Sequence, residues 1–171
     1  MPSGKSGAKR SFARSLVNSL KALWRTLCRL IRSLLSERIE SNWKVWLFLK
    51  TYAPLTPCYL ADSKYEILDK DELEQIVNKV YEEVRNELGE YKAETIDCDN
   101  WALLFYAYAK IKSIRAIGLV WNGTHAFNVA IAYDGEIADL FVIEPQQKKV
   151  YKYEEAIEME LYAPRWRFIL M

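Results

Sequence analysis

The feature that most constrains this chain is a change of period. Up to Lys110 the apolar residues recur every three or four positions, and from Ser113 onward they alternate at two. Three runs, "SIRAIGLVW", "THAFNVAIAY" and "EIADLFVIE", are separated by Asn122-Gly123 and Asp134-Gly135, both two-residue hairpin signals. They predict an antiparallel meander. "KKVYKY" adds a short fourth strand, "EEAIEMEL" a brief turn and "RWRFILM" a terminal strand tucked into the sheet. Helices first and antiparallel strands second define an α+β fold, with a buried helix packed on one face of the sheet.

Four helical segments precede the strands. Phe12, Leu16, Leu20, Leu23, Leu27, Leu30 and Leu34 draw one stripe of an amphipathic helix from Ser11 to about Arg38. A second helix begins at Trp43 and ends near Ala53, because Pro54 and Pro57 forbid its continuation; a wrapping loop follows. "DKDELEQIVNKVYEEVRNELGEY" is an acid-capped helix from Asp71 to Leu88 with Gly89 as its stop. The fourth runs from Cys98 to about Lys110. Every residue from Trp101 to Ala109 is apolar or aromatic, so it reads as the central helix with no clear solvent face.

A net charge of +1 hides a division. Residues 1–36 carry eight basic side chains and no acid, leaving 16 basic against 23 acidic residues in the remainder. The chain therefore divides into a disordered basic tip (1–10), a basic amphipathic helix (11–40) and one domain (43–171). A wide leucine stripe is wasted on phosphate, which makes nucleic acid an unfavoured partner. Docking of residues 11–38 on a membrane surface or a protein partner uses both faces. Cys28, Cys58 and Cys98 stand in unlike contexts without CxxC spacing, so neither a disulfide framework nor a thiolate zinc site is indicated. A cytoplasmic, at most membrane-peripheral, location is expected. No apolar run reaches the roughly eighteen residues of a spanning helix, and Arg25, Arg29 and Arg32 spoil a signal-peptide pattern.

The chain has one histidine, His125, so any cysteine–histidine chemistry must use it. If Asp134-Gly135 is a two-residue turn, cross-strand partners have numbers summing to 269, and His125 opposes Glu144. Directly opposed side chains share a face with Cβ atoms roughly 5 Å apart, so Glu144 can accept the imidazole N–H and orient the ring. Cys98 opens a helix, where unpaired backbone N–H groups favour thiolate, while Asp97 is placed as N-cap. Taken singly, each residue has a plainer role: Cys98 as a small packed hydrophobe, His125 as a satisfied core group, Glu144 as a strand-end charge. The aromatics of Trp101–Tyr108 read as core. Order and register join the three into a Cys-His-Glu set.

"DCDNWA", "THAFNVAI" and "VIEPQ" resemble the papain-like and transglutaminase-like superfamily. Within it they are most similar to the peptidase-like C-terminal domain of a ricin-type agglutinin from the mushroom Marasmius and to related bacterial, archaeal and viral domains. With "YLADSKY" the likeness covers about Trp43 to Met171. It implies a papain-like fold and a cysteine peptidase, a thiol protease acting on a peptide or amide carbonyl of a protein substrate. Cys98 would be nucleophile, His125 general base and acid, and Glu144 the orienting carboxylate. It also implies support by calcium or manganese, with Asp99 and Gln146 matching the metal positions, joined by Glu144. Two departures stand out: no glutamine precedes Cys98 to serve an oxyanion hole, and only one strand separates the helix from His125. The competing reading is a non-catalytic papain-like binding or structural module, docked through its basic helix.

Overall fold

The computed structural model describes residues 5–92, 95–163 and 165–171, with side chains from Arg14 onward. The alternating runs form β5 (Ile117–Trp121), β6 (Ala126–Asp134), β7 (Ile137–Glu144) and β8 (Lys149–Lys152), paired antiparallel in that order. The terminal strand β9 (Phe168–Leu170) pairs antiparallel with β5, and β2 (Cys58–Tyr59) adds parallel outside it. At the other end of β6, β4 (Leu68–Asp69) pairs parallel, which completes a seven-stranded sheet. A separate ribbon joins β1 (Ile39–Ser41) to β3 (Lys64–Glu66).

Both hairpins differ from the sequence expectation in register. Asp134 lies opposite Ile137, so the central turn residues are Gly135 and Glu136. Gly135 supplies the positive φ, 73°, that a turn with glycine at its first central position requires. Partner numbers therefore sum to 271, as in Asn128 opposite Ile143. In the first hairpin Trp121 opposes Ala126, leaving a four-residue loop, 122–125. Asn122 Oδ1 accepts the backbone N–H groups of Thr124 (3.1 Å) and His125 (2.9 Å), which turns the asparagine from a tight-turn residue into a side-chain cap of a wider loop.

The sheet is covered on both faces. Phe127, Val129 and Ile131 of β6 pack with Val45, Phe48, Leu49 and Tyr52 of α2 (Asn42–Tyr52). The alternate residues Ala130 and Ala132, with Phe141 and Ile143 of β7, meet α3 (Lys70–Leu88) and α4 (Cys98–Ile111). Alanines on this side let α4 approach the sheet closely. The sequence reading placed a helix on one face only; the α2 layer is the difference. The first seven residues of β6 are buried, so no polar alternation marks a solvent side.

Helix α3 begins with a capping box: Asp69 N–H donates to Glu72 Oε2 at 3.1 Å, and Gly89 closes the helix with φ 75°. Helix α4 does have an outer face, since Leu103 and Ile111 are exposed. Helix α1 spans Lys5–Arg32, starting and stopping earlier than its stripe suggested, and residues 1–4 of the expected tip lie outside the described residues. Among the described residues it is anchored at its C-terminal end. Cys28 is buried, and the Arg32 guanidinium lies 4.0 Å over the Tyr52 ring and donates to Glu154 Oε1 at 3.4 Å. Among the described residues, no helix is long and apolar enough to cross a membrane.

Candidate functional site

The start of α4 presents Asp97, Cys98 and Asp99. Asp97 is extended at the N-cap, and its N–H donates to Asn100 Oδ1 at 3.1 Å, half of a capping box. Cys98 is half-buried against Ala102, Leu119 and Ala126. One donor atom from each of the three residues falls within 4.8 Å of the others. The hydrogen bond that Asp99 shares with Asp97 raises the Asp97 carboxyl above its ordinary range, and repulsion between the two adds to this.

His125 closes the first hairpin loop, buried. Its Nε2 lies 2.7 Å from Glu144 Oε2, and Glu144 is 1 % exposed. The same oxygen accepts the Tyr162 hydroxyl at 2.8 Å, while Glu144 Oε1 receives the Gln146 backbone N–H at 3.4 Å. A carboxylate at that depth needs such donors to offset its lost hydration. Burial and the Glu144 charge together push the Tyr162 hydroxyl well above the ordinary tyrosine range. The imidazole also stacks on Phe127, with ring centroids 5.8 Å apart and 26° between planes.

The expected His125–Glu144 pair is thus present, reached by a different register. Extending the observed pairing sets Phe127 opposite Glu144, and His125 meets the carboxylate diagonally. A two-residue shift keeps every side chain on its face, which is why the partner survives the error. Tyr162 was missed. It sits in a 3-10 turn (Glu160–Tyr162), between the brief turn and the terminal strand expected from sequence, and its one signal is that a buried Glu144 wants a second donor.

Cys98 is positioned by a different element and packs against other residues. His125, Glu144 and Tyr162 lie with Phe127 on the α2 side of the sheet, whereas Cys98 packs on the α4 side, beside Ala126. Among the described residues no hydrogen bond joins Cys98 Sγ to the imidazole. With Nε2 on Glu144, Nδ1 is the ring nitrogen left for a proton. Gln146 lines a pocket with Tyr81, Arg85 and Trp101, and Asp99 is not among its lining residues. The acidic cluster offers two carboxylates and a sulfur from consecutive residues, and Glu144 already accepts from His125, Tyr162 and the Gln146 backbone N–H. Calcium or manganese prefers six or more oxygens, so these residues do not fit such an ion.

The fold and site define an α+β domain built on a helix-covered sheet with a buried imidazole–carboxylate–phenol chain. Among the solved structures of similar fold are two of a mushroom lectin from Polyporus squamosus. One, the PSL1a–E64 complex, is 18 % identical with a TM-score of 0.58, the match covering 80 % of this chain and 52 % of that one. The other is the Polyporus squamosus lectin bound to the human-type influenza-binding epitope Neu5Aca2-6Galb1-4GlcNAc, 20 % identical with a TM-score of 0.56, covering 80 % and 50 %. The chain thus spans about half the length of the lectin chains it matches. No family model and no curated protein sequence matches. A mushroom lectin neighbour agrees with the likeness to a mushroom agglutinin. It also corrects what that likeness implied: with lectins as neighbours, the cysteine peptidase, thiol protease and calcium assignments are withdrawn.

Proposed function

We propose that the chain is a binding module on a papain-like scaffold, docked to an anionic membrane surface through α1. One observation carries the reading: the apolar stripe of α1 is uncovered. Leu16, Leu20, Leu23, Trp24, Leu27 and Leu30 fall on one side of the helix and are each 44–67 % exposed. Arg14, Lys21, Arg25 and Arg29 stand on the opposite, polar side, and the helix has no acid. Burying such a stripe at the headgroup boundary recovers its hydrophobic free energy, while anionic lipid attracts the cations. A protein groove would have to supply both an apolar floor and separate carboxylates; one lipid surface supplies both.

Flotation of the full chain with phosphatidylserine-containing and with purely phosphatidylcholine vesicles tests this. Binding is expected on the anionic vesicles, weakened by salt and abolished by Leu20→Glu with Leu27→Glu. A folded chain that ignores anionic vesicles would overturn the reading.

A further inference from the structure

The pocket that Gln146 lines lies where the end of α3 meets the first turn of α4. It has a volume of about 250 Å³ and is lined by Tyr81, Arg85, Glu90, Tyr91, Trp101 and Gln146. Two of its walls carry buried polar atoms that have no partner among the described residues, Trp101 Nε1 and Gln146 Nε2. Trp101 is only 2 % exposed, so its indole N–H cannot turn to bulk water, and its ring is held against Tyr81 with centroids 5.5 Å apart. An indole nitrogen only donates, and a glutamine amide nitrogen only donates. Orphaned buried donors of this kind carry a desolvation penalty until an acceptor arrives.

We propose that this pocket binds a carboxylate, with the Trp101 and Gln146 N–H groups and the Arg85 guanidinium donating to its two oxygens. The ligand has to bring acceptors, because the two unpartnered buried atoms of the lining residues are both donors. It has to be anionic but modestly so: Arg85 is the one cation among the described lining residues, which suits one negative charge better than a phosphate dianion. Arg85 is available for the exchange. Its present contact, Glu90 at 3.5 Å, is made by a side chain 81 % exposed, which can return to water at little cost when the ligand takes its place. The walls are flat groups (indole, phenols and amide), matching a planar carboxylate.

The pocket is independent of the membrane-docking face of α1, so neither result prejudges the other. The Trp101 indole N–H resonance of the ¹⁵N-labelled full chain, assigned with Trp101→Phe, is the readout. It is followed during titration with acetate, with an N-acetylated tripeptide acid and with the same peptide as its C-terminal amide. Both acids are expected to shift the resonance and the amide to leave it in place. Arg85→Gln and Gln146→Leu should each weaken acetate binding about tenfold, the effect of losing one hydrogen bond to a charged acceptor. These two variants keep the test sharp if Trp101→Phe folds poorly, since Arg85 is half exposed. A peptide acid binding more tightly than acetate assigns the source as a chain terminus; equal affinities assign a small free acid. No shift with either acid, an equal shift with the amide, or unchanged binding in both variants would mean the pocket holds water only, and the proposal fails.

Discussion

His125 reaches Glu144 diagonally across the β6–β7 ladder, and the 2.7 Å contact is completed from a third element by Tyr162. Because the two donors share Glu144 Oε2, their contributions are coupled through one carboxylate. Tyr162→Phe is expected to cost about 1.5–3 kcal/mol, the range for a hydrogen bond to a charged group. In a Glu144→Leu background the same substitution should cost far less, since the acceptor is gone. Urea unfolding of the four species gives the coupling; additive effects would show that the phenol does not act through Glu144.

How much of this was legible depends on the range of the interaction. The helices from Asn42, Lys70 and Cys98 are written in local signals: Pro54 after the first, the Asp69–Glu72 box before the second, Asp97 before the third. The meander is equally local, as alternation punctuated by glycine turns. Register was not, because whether Gly135 is the first or second central residue of its turn depends on which φ it adopts, and composition does not say. The α2 layer was hidden because β6 and β7 are apolar on both sides, and a chain so covered lacks the polar alternation that would name its faces. Tyr162 arrives from far along the chain, beyond any periodic pattern. The different packing neighbours of Cys98 and of the imidazole are likewise a matter of faces, and a linear motif carries no information about faces.

Gly118 is where the C-terminal strand is locked. A Cβ there would sit 2.8 Å from the Leu170 carbonyl oxygen and 2.7 Å from Met171 Cγ. The side chain of Met171 has some freedom, but the backbone oxygen belongs to the β5–β9 ladder. Gly118→Ala should therefore destabilise by about 1–3 kcal/mol through overpacking. Hydrogen exchange should show loss of protection concentrated in β9, with β6 and β7 affected little. Uniform loss across the sheet would contradict a local lock.

The three thiols should react unequally. Burial raises the Cys28 and Cys58 thiols above their ordinary value, the first opposed by Arg32 and the second by Lys50. Cys28 is additionally packed where α1 meets the domain. Cys98, half-buried at the open end of α4, is expected to be alkylated first by iodoacetamide at neutral pH, by at least several-fold. Peptide mapping after partial labelling checks the order; fastest labelling at Cys28 would show that α1 leaves its docked position.

Lys110 supplies a pH signature with a sign opposite to that of the buried tyrosines. Burial pushes its ammonium down to about 8, with Arg115 pushing the same way and Asp62 opposing both. Below that value both folded and unfolded states hold the proton. Between about 8 and the ordinary lysine value near 10.4, the unfolded chain keeps the proton and the folded one releases it, so stability rises with pH across this window. The Tyr52, Tyr153 and Tyr162 hydroxyls, raised chiefly by burial, act in reverse: the folded state retains protons that the unfolded state gives up, and stability falls above about pH 10. Comparison with Lys110→Met isolates the first effect, because both proteins share the tyrosine term. The melting temperature of wild type relative to the variant should climb between about pH 8 and pH 10. A difference that stays flat would mean the ammonium remains charged at the end of α4, held by its 2.9 Å bond to the Arg115 carbonyl and by the Tyr106 ring 5.2 Å away.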